Sequence, residues 1–146
     1  MPVSRTARIA IRLHHAVYRL TGGRLGTHFG RLEQVLLTTT GRTSGEPRTT
    51  PLAVTVVGDR LVLIASDGGA PRDPGWYRNL VAHPDVILQR GTVRTPMRAR
   101  TALGAERAEL WAAAVANHPG YAGYERRTDR QIPVIVCEPA TSGFRR

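Results

Sequence analysis

The chain has 146 residues, about one ordinary domain, and all 21 of its basic residues are arginine. With no lysine, the P-loop, pyridoxal-phosphate and protein-kinase chemistries each lose a residue they require. Cys137 is the sole cysteine, which excludes an intrachain disulfide framework, a four-cysteine zinc site and a cysteine-ligated iron–sulfur cluster.

Eleven carboxylates against 21 arginines leave a formal net charge of +10, a field that favours an anionic partner. Nucleic acid, membrane phospholipid and a polyanionic small molecule all carry the matching charge. An apolar share of 41% with 22% charged residues suits a folded core rather than disorder. No apolar run approaches the ~20 residues needed to span a bilayer, and the N-terminal stretch lacks the uninterrupted apolar segment of an export signal. The expected location is cytoplasmic, with peripheral contact to the inner face of the cell membrane left open.

Residues 1–26 read as a basic amphipathic arm. From Ser4 to Thr21, Arg5, Arg8, Arg12, His15 and Arg19 form one stripe at helical spacing, and Ile9, Leu13, Ala16, Val17 and Leu20 form another. Ser4 suits an N-cap and Gly22-Gly23 a stop. The first 31 residues hold six arginines and no Asp or Glu. Two readings stand: a helix lying on anionic lipid, or a helix packed on the core with its arginines in water.

Residues 27–146 read as one domain. Glu33 to Thr40 is rich in β-branched residues and predicts a strand, and Gly41 to Pro47 a loop. Arg48 to Val57 resumes strand character, with Leu52, Val54 and Val56 expected on one face. Gly58-Asp59 turns the chain into the wholly apolar Leu61 to Ala65, a buried hairpin arm. Asp67 to Gly75 is a loop by composition, and Trp76 to His83 predicts a two-turn helix ended by Pro84. Val86 to Gln89 and Val93 to Thr101 form a second strand pair, in which Arg94, Arg98 and Arg100 share a face and need no role beyond solvation. Gly104 to Asn117 predicts a helix presenting Ala108, Trp111, Ala112 and Val115 to the body. A polar, tyrosine-bearing connection follows, and Ile132 to Cys137 is a closing strand with Cys137 buried and inert. Six mainly antiparallel strands in hairpin-like order with three helices predict an α+β fold on a small barrel. A Rossmann rhythm and its G-x-G-x-x-G are missing.

His14, His15, His28, His83 and His118 show no metal-ligand spacing, so no metal site is expected. No serine sits in G-x-S-x-G. Two loops carry the remaining chemistry. In Gly41-Arg42-Thr43-Ser44-Gly45-Glu46-Pro47-Arg48, glycines allow close backbone approach, and hydroxyls and arginines suit phosphate or carboxylate. In Ser66-Asp67-Gly68-Gly69-Ala70, followed by Pro74 to Leu80, a glycine loop runs into a helix opened by Trp76 and Tyr77, a wall for a planar heterocycle.

The succession L-L-T-T-T-G-R-x-x-G-x-P-R-x-x-P-L from Leu36 to Leu52, A-S-x-G-G-A from Ala65 to Ala70, P-x-W-Y-x-N-L from Pro74 to Leu80, Y-x-x-Y at Tyr121 to Tyr124, and I-P-V-I-V-C-E-P from Ile132 to Pro139 resembles the deazaflavin-dependent nitroreductase family. The resemblance implies a split β-barrel of the FMN-binding type. It implies coenzyme F420, an 8-hydroxy-5-deazaflavin with a phosphate and an oligoglutamate tail, and hydride transfer to a quinone, activated enone or nitroaromatic. Carried over by position, Arg42, Thr43 and Ser44 hold the phosphate and the start of the tail. Arg48, Thr49, Thr50 and Pro51 run beside the cofactor. Ile64, Ala65, Ser66 and Asp67 pass along the ring, and Gly75, Trp76, Tyr77, Arg78 and Asn79 add contacts. Tyr121 covers the site; Ser66, Tyr121 and Tyr124 are the candidate proton donors. Ala53, His118 and Tyr124 shape the acceptor pocket, Ala53 and His118 standing where tyrosines are expected. Thr43 and Asp67 stand where the family often has lysine.

Two other readings remain open at this point. One is the same barrel serving an ordinary FMN reductase. The other is a non-enzymatic basic module for lipid or nucleic acid, although nucleic acid is not expected, because aromatics gather near Trp76 and Tyr121 rather than along a basic groove.

Overall fold

A computed structural model describes residues 28–29 and 32–140; the expected arm helix of Ser4 to Thr21 lies outside them. Its strands are β1 (His28–Phe29), β2 (Leu32–Thr40), β3 (Pro47–Ala53), β4 (Thr55–Val57), β5 (Arg60–Ile64), β6 (Asp85–Arg90), β7 (Val93–Thr101) and β8 (Val134–Pro139). The helices are α1 (Gly75–Ala82), α2 (Gly104–Asn117) and α3 (Gly120–Arg126), with a 3₁₀ turn at Asp67–Gly69.

All pairings are antiparallel, in the order β1-β2-β6-β7-β8-β5-β4, with β3 also on β2. β3 pairs with β2 and β4 with β5, yet only Val54 separates β3 from β4. The stretch 47–57 therefore bridges the two sides of the sheet and curls it into a split barrel. This bend is where the sequence reading of one continuous strand fails. Val54 and Thr55 are both buried, so the inside–outside alternation slips by one. Val56 is turned out to 46% exposure instead of joining Leu52 and Val54.

Two apolar layers hold the fold. Alternate residues of β2, β5, β6, β7 and β8 point inward, namely Val35, Leu37, Leu61, Leu63, Val86, Leu88, Met97, Ala99, Ile135 and Cys137, and α1 closes the core with Leu80, Trp76 and Tyr77. The other faces of β5 and β8, Val62, Ile64, Val134 and Val136, meet Leu110 and Ala114 of α2 and Tyr121 of α3. Burial on both faces explains the unbroken apolar run of β5. Each fully buried Leu, Ile or Val side chain contributes ~1.5–3 kcal/mol.

Three further expectations are corrected. The buried face of α2 is centred on Leu110 and Ala114, with Ala108 and Ala112 exposed, because the larger Leu110 sets the contact stripe. The tyrosine-bearing connection is helical as α3, where Tyr121 and Tyr124 lie three apart and so meet on one face. Arg100 is engaged rather than solvated: it bonds Glu106 at 2.5 and 2.9 Å and Glu138 at 2.6 Å, which tethers the start of α2 to the sheet. That pairing holds the Glu106 carboxyl below its ordinary range.

Candidate active site

The loop between β2 and β3 is a tight hairpin whose backbone bonds run Gly45 N–H to Gly41 O and Gly41 N–H to Glu46 O, each 2.8 Å. A side chain at Gly41 would stand 2.5 Å from Ser44 Oγ and 3.2 Å from Glu46 O, so it would displace the Ser44 hydroxyl and crowd the hairpin. Beyond the loop lies α1, and Arg42 joins them, with a 3.5 Å bond to Gly75 O and closer bonds to Asn79. Asn79, 6% exposed, accepts at Oδ1 from the Arg42 guanidinium (2.8 Å) and from the Arg42 backbone N–H (3.2 Å). Its Nδ2 donates to Thr39 Oγ1 at 3.2 Å. Arg42 is thereby fixed over a cleft of about 460 Å³ lined by Gly41, Arg42, Thr43, Ser44, Arg48, Thr50, Gly75, Trp76 and Asn79.

The period of the strand decides which neighbours join this cleft. Arg48 and Thr50 face it. Thr49 instead bonds Thr38 Oγ1 at 2.9 Å, and Pro51 sits opposite Leu36 in the ladder. On α1, Tyr77 turns to the core and bonds Thr101 Oγ1 at 3.0 Å, while Arg78 points to solvent.

A second group gathers where β5 ends. Ile64 packs in the outer layer with Tyr121 and Tyr124 beside it, and Ala65 in the barrel core. Ser66 is 6% exposed. Asp67 then takes a left-handed backbone (φ 44), as do Gly68 and Gly69. The turn rests on α3: a side chain at Gly69 would stand 3.0 Å from Tyr124 O and 3.1 Å from Arg127 Cβ.

Around it, His118 and Tyr121 have ring centroids 4.4 Å apart, and Tyr121 and Tyr124 6.3 Å. Burial, helped by the neighbouring Tyr124, pushes the Tyr121 phenol up to about 12. It therefore carries its proton throughout the physiological range. Burial also lowers His118, which favours the neutral imidazole. Ala53 ends β3 opposite Gln34, whereas His118 and Tyr124 share the aromatic cluster.

Sequence reasoning missed Arg130, whose side chain binds the loop after β5 from across 57 to 65 residues of chain. Nothing local marks it, because its partners are mostly main-chain carbonyls. Cys137 is fully buried as expected, and burial pushes its thiol up to about 12. Among the described residues no group of His, Cys, Asp and Glu is placed to hold a metal ion, and no helix is long and apolar enough to cross a membrane.

The curled antiparallel sheet places the chain in the split-barrel class of folds. The family model for F420H(2)-dependent quinone reductase matches residues 10–139. The chain belongs to that family. It is similar to the F420H(2)-dependent quinone reductase Rv1261c of Mycobacterium tuberculosis, 42% identical over 130 residues, 86% of this chain and 87% of the relative. A solved F420-H2 dependent reductase, FDR-A, is 42% identical with a TM-score of 0.67, over 72% of this chain and 93% of its own. A second solved structure, described only as a domain-swapped dimer, is 37% identical with a TM-score of 0.70, over 92% of this chain and 100% of its own.

Proposed function

We propose that this chain is an oxidoreductase that uses reduced coenzyme F420 to reduce a quinone. The observation that carries the reading is the cleft around Arg42. A guanidinium held by a buried amide, with Thr43 and Ser44 hydroxyls and Arg48 beside it, is the donor set that a phosphate followed by glutamate carboxylates requires. FMN shares the phosphate but has no polycarboxylate tail to engage the further arginine, so the deazaflavin reading is favoured over the ordinary flavin reductase.

When bound, the coenzyme supplies a hydride to an electron-poor acceptor. The protein's part is to orient, to exclude water and to furnish a proton. Arg42, Thr43, Ser44 and Arg48 anchor the anionic end, and Trp76 walls the cleft. The buried Ser66 and Tyr121 with Tyr124 are the hydroxyls for the oxygen that gains charge on the acceptor. A neutral phenol aimed at a developing oxyanion contributes ~3 kcal/mol. Tyr121 suits that role because it stays protonated.

Quinones are the acceptor class this reading favours; activated enones and nitroaromatics are secondary. The arm of residues 1–26, with its arginine stripe, supports a cytoplasmic protein that touches an anionic membrane surface where quinones reside. Co-sedimentation with anionic vesicles, compared with a full chain carrying Arg5, Arg8 and Arg12 changed to Gln, tests this, and equal binding refutes it. Equilibrium titration with coenzyme F420 and with FMN tests the main reading. Tight F420 binding with weak FMN binding supports it; the reverse order gives the site to FMN.

A further inference from the structure

Arg130 stands between α3 and β8, outside the cleft and outside the aromatic cluster. Its side chain is only 14% exposed and aims all three nitrogens at one loop. Nε donates to Ala70 O at 2.9 Å, and Nη1 to Asp73 Oδ1 at 2.8 Å. Nη2 donates to Ala65 O at 3.1 Å and Ser66 O at 2.9 Å. A single planar group thus fixes the segment that connects the end of β5 to α1.

The consequence follows from peptide geometry. A trans peptide holds its C=O and N–H antiparallel, and there are no cis bonds among the described residues. With the carbonyls of Ala65 and Ser66 turned to the guanidinium, the N–H groups of Ser66 and Asp67 face the opposite side. Ser66 is right-handed (φ −78, ψ −36) and Asp67 left-handed (φ 44). That succession gathers consecutive N–H groups into a concavity suited to partial negative charge. A left-handed aspartate is strained, and persists where its surroundings hold it.

We infer that Arg130 is a positioning residue: through the carbonyls of Ala65 and Ser66 it directs the Ser66 and Asp67 N–H groups toward the bound deazaflavin, touching neither coenzyme nor acceptor. The inference rests on the F420 reading above. Lysine cannot replace it, because a point ammonium lacks the planar fork that reaches four oxygens at once.

The test compares the full chain with Arg130→Lys, Arg130→Ala and Asp73→Asn. In the coenzyme-free proteins, hydrogen exchange follows the amides of residues 66–70 against those of β6. In the loaded proteins, fluorescence titration gives coenzyme affinity, and steady-state kinetics separate the KM values for coenzyme and quinone. Arg130→Lys and Arg130→Ala are expected to lose protection at 66–70 while β6 keeps it. Both should weaken coenzyme binding about tenfold or more, as expected for charge-assisted bonds at ~1.4 kcal/mol per tenfold, with the quinone KM unchanged. Millimolar guanidinium should restore part of the affinity of Arg130→Ala. Asp73→Asn, which keeps the carbonyl contacts, should bind coenzyme nearly as wild type does. A folded Arg130→Lys with wild-type coenzyme affinity overturns the inference. So does a loss confined to the folded fraction, with the surviving protein binding normally; if Arg130→Ala fails to fold, the Lys variant decides alone. Failure of the wild type itself to bind coenzyme overturns the functional reading instead.

Discussion

Replacing Asn79 by alanine removes the buried amide that holds Arg42 to α1 and leaves only the 3.5 Å bond from Arg42 to Gly75 O. Three hydrogen bonds vanish: two from Arg42, at 2.8 and 3.2 Å, and one to Thr39 at 3.2 Å. At ~1 kcal/mol net for each, the protein loses about 3 kcal/mol of stability, read as a lower urea midpoint at unchanged slope. Binding suffers separately. A freed arginine must be ordered again by the ligand at a cost of ~1.5–2 kcal/mol, which lowers coenzyme affinity about 10- to 30-fold. Because the effect runs through Arg42, Asn79→Ala added to Arg42→Met should cost little further affinity in a double-mutant cycle. A deazaflavin lacking the phosphate and glutamate tail should bind wild type and variant alike. Additive losses in the cycle, or an equal loss with the tail-less ring, would refute the assignment of this cleft to the tail.

Three further outcomes follow from the same geometry. Tyr121→Phe preserves ring packing but deletes a proton; turnover should fall ~100-fold or more with melting temperature changed little, and unchanged turnover would assign the donor to Ser66 or Tyr124. Gly69→Ala places a methyl 3.0 Å from Tyr124 O at φ 84; it should destabilise by ~1–3 kcal/mol, measured by urea unfolding, and weaken coenzyme binding as α3 shifts. Burial raises both Tyr121, from 10.0, and Cys137, from 9.0, to about 12. The unfolded chain therefore releases these protons first, and stability is complete below about pH 9 and declines as pH rises toward 12. Urea midpoints between pH 8 and 11 should show that decline, reduced on the thiol's side by Cys137→Ala, and a flat profile would contradict it.

Much of the barrel was legible because its signals are local. The alternation along β7 and the two-sided apolar run of β5 both report what each strand packs against. The break at Val54 was not legible, since Arg48 to Val57 reads as one strand and only closure of the sheet forces the slip that exposes Val56. Composition marked the glycine–arginine hairpin as the candidate anion site. Its fixing by Asn79 was invisible, being a contact across 37 residues. Arg130 escaped for the same reason, and so did α3, whose two glycines and terminal proline resemble a loop until Tyr121 is seen buried against β5 and β8.

The proposed reaction moves reducing equivalents from a deazaflavin to a quinone. Mixing the full chain anaerobically with reduced coenzyme F420 and a menaquinone analogue, and following the oxidised coenzyme's absorbance, tests it most directly. The expected result is protein-dependent oxidation, one equivalent per quinol formed, faster than with a cyclic enone or a nitroaromatic, and strongly slowed by Arg42→Met at limiting coenzyme. No oxidation above the protein-free rate, with the protein folded and the quinone in excess, would contradict it.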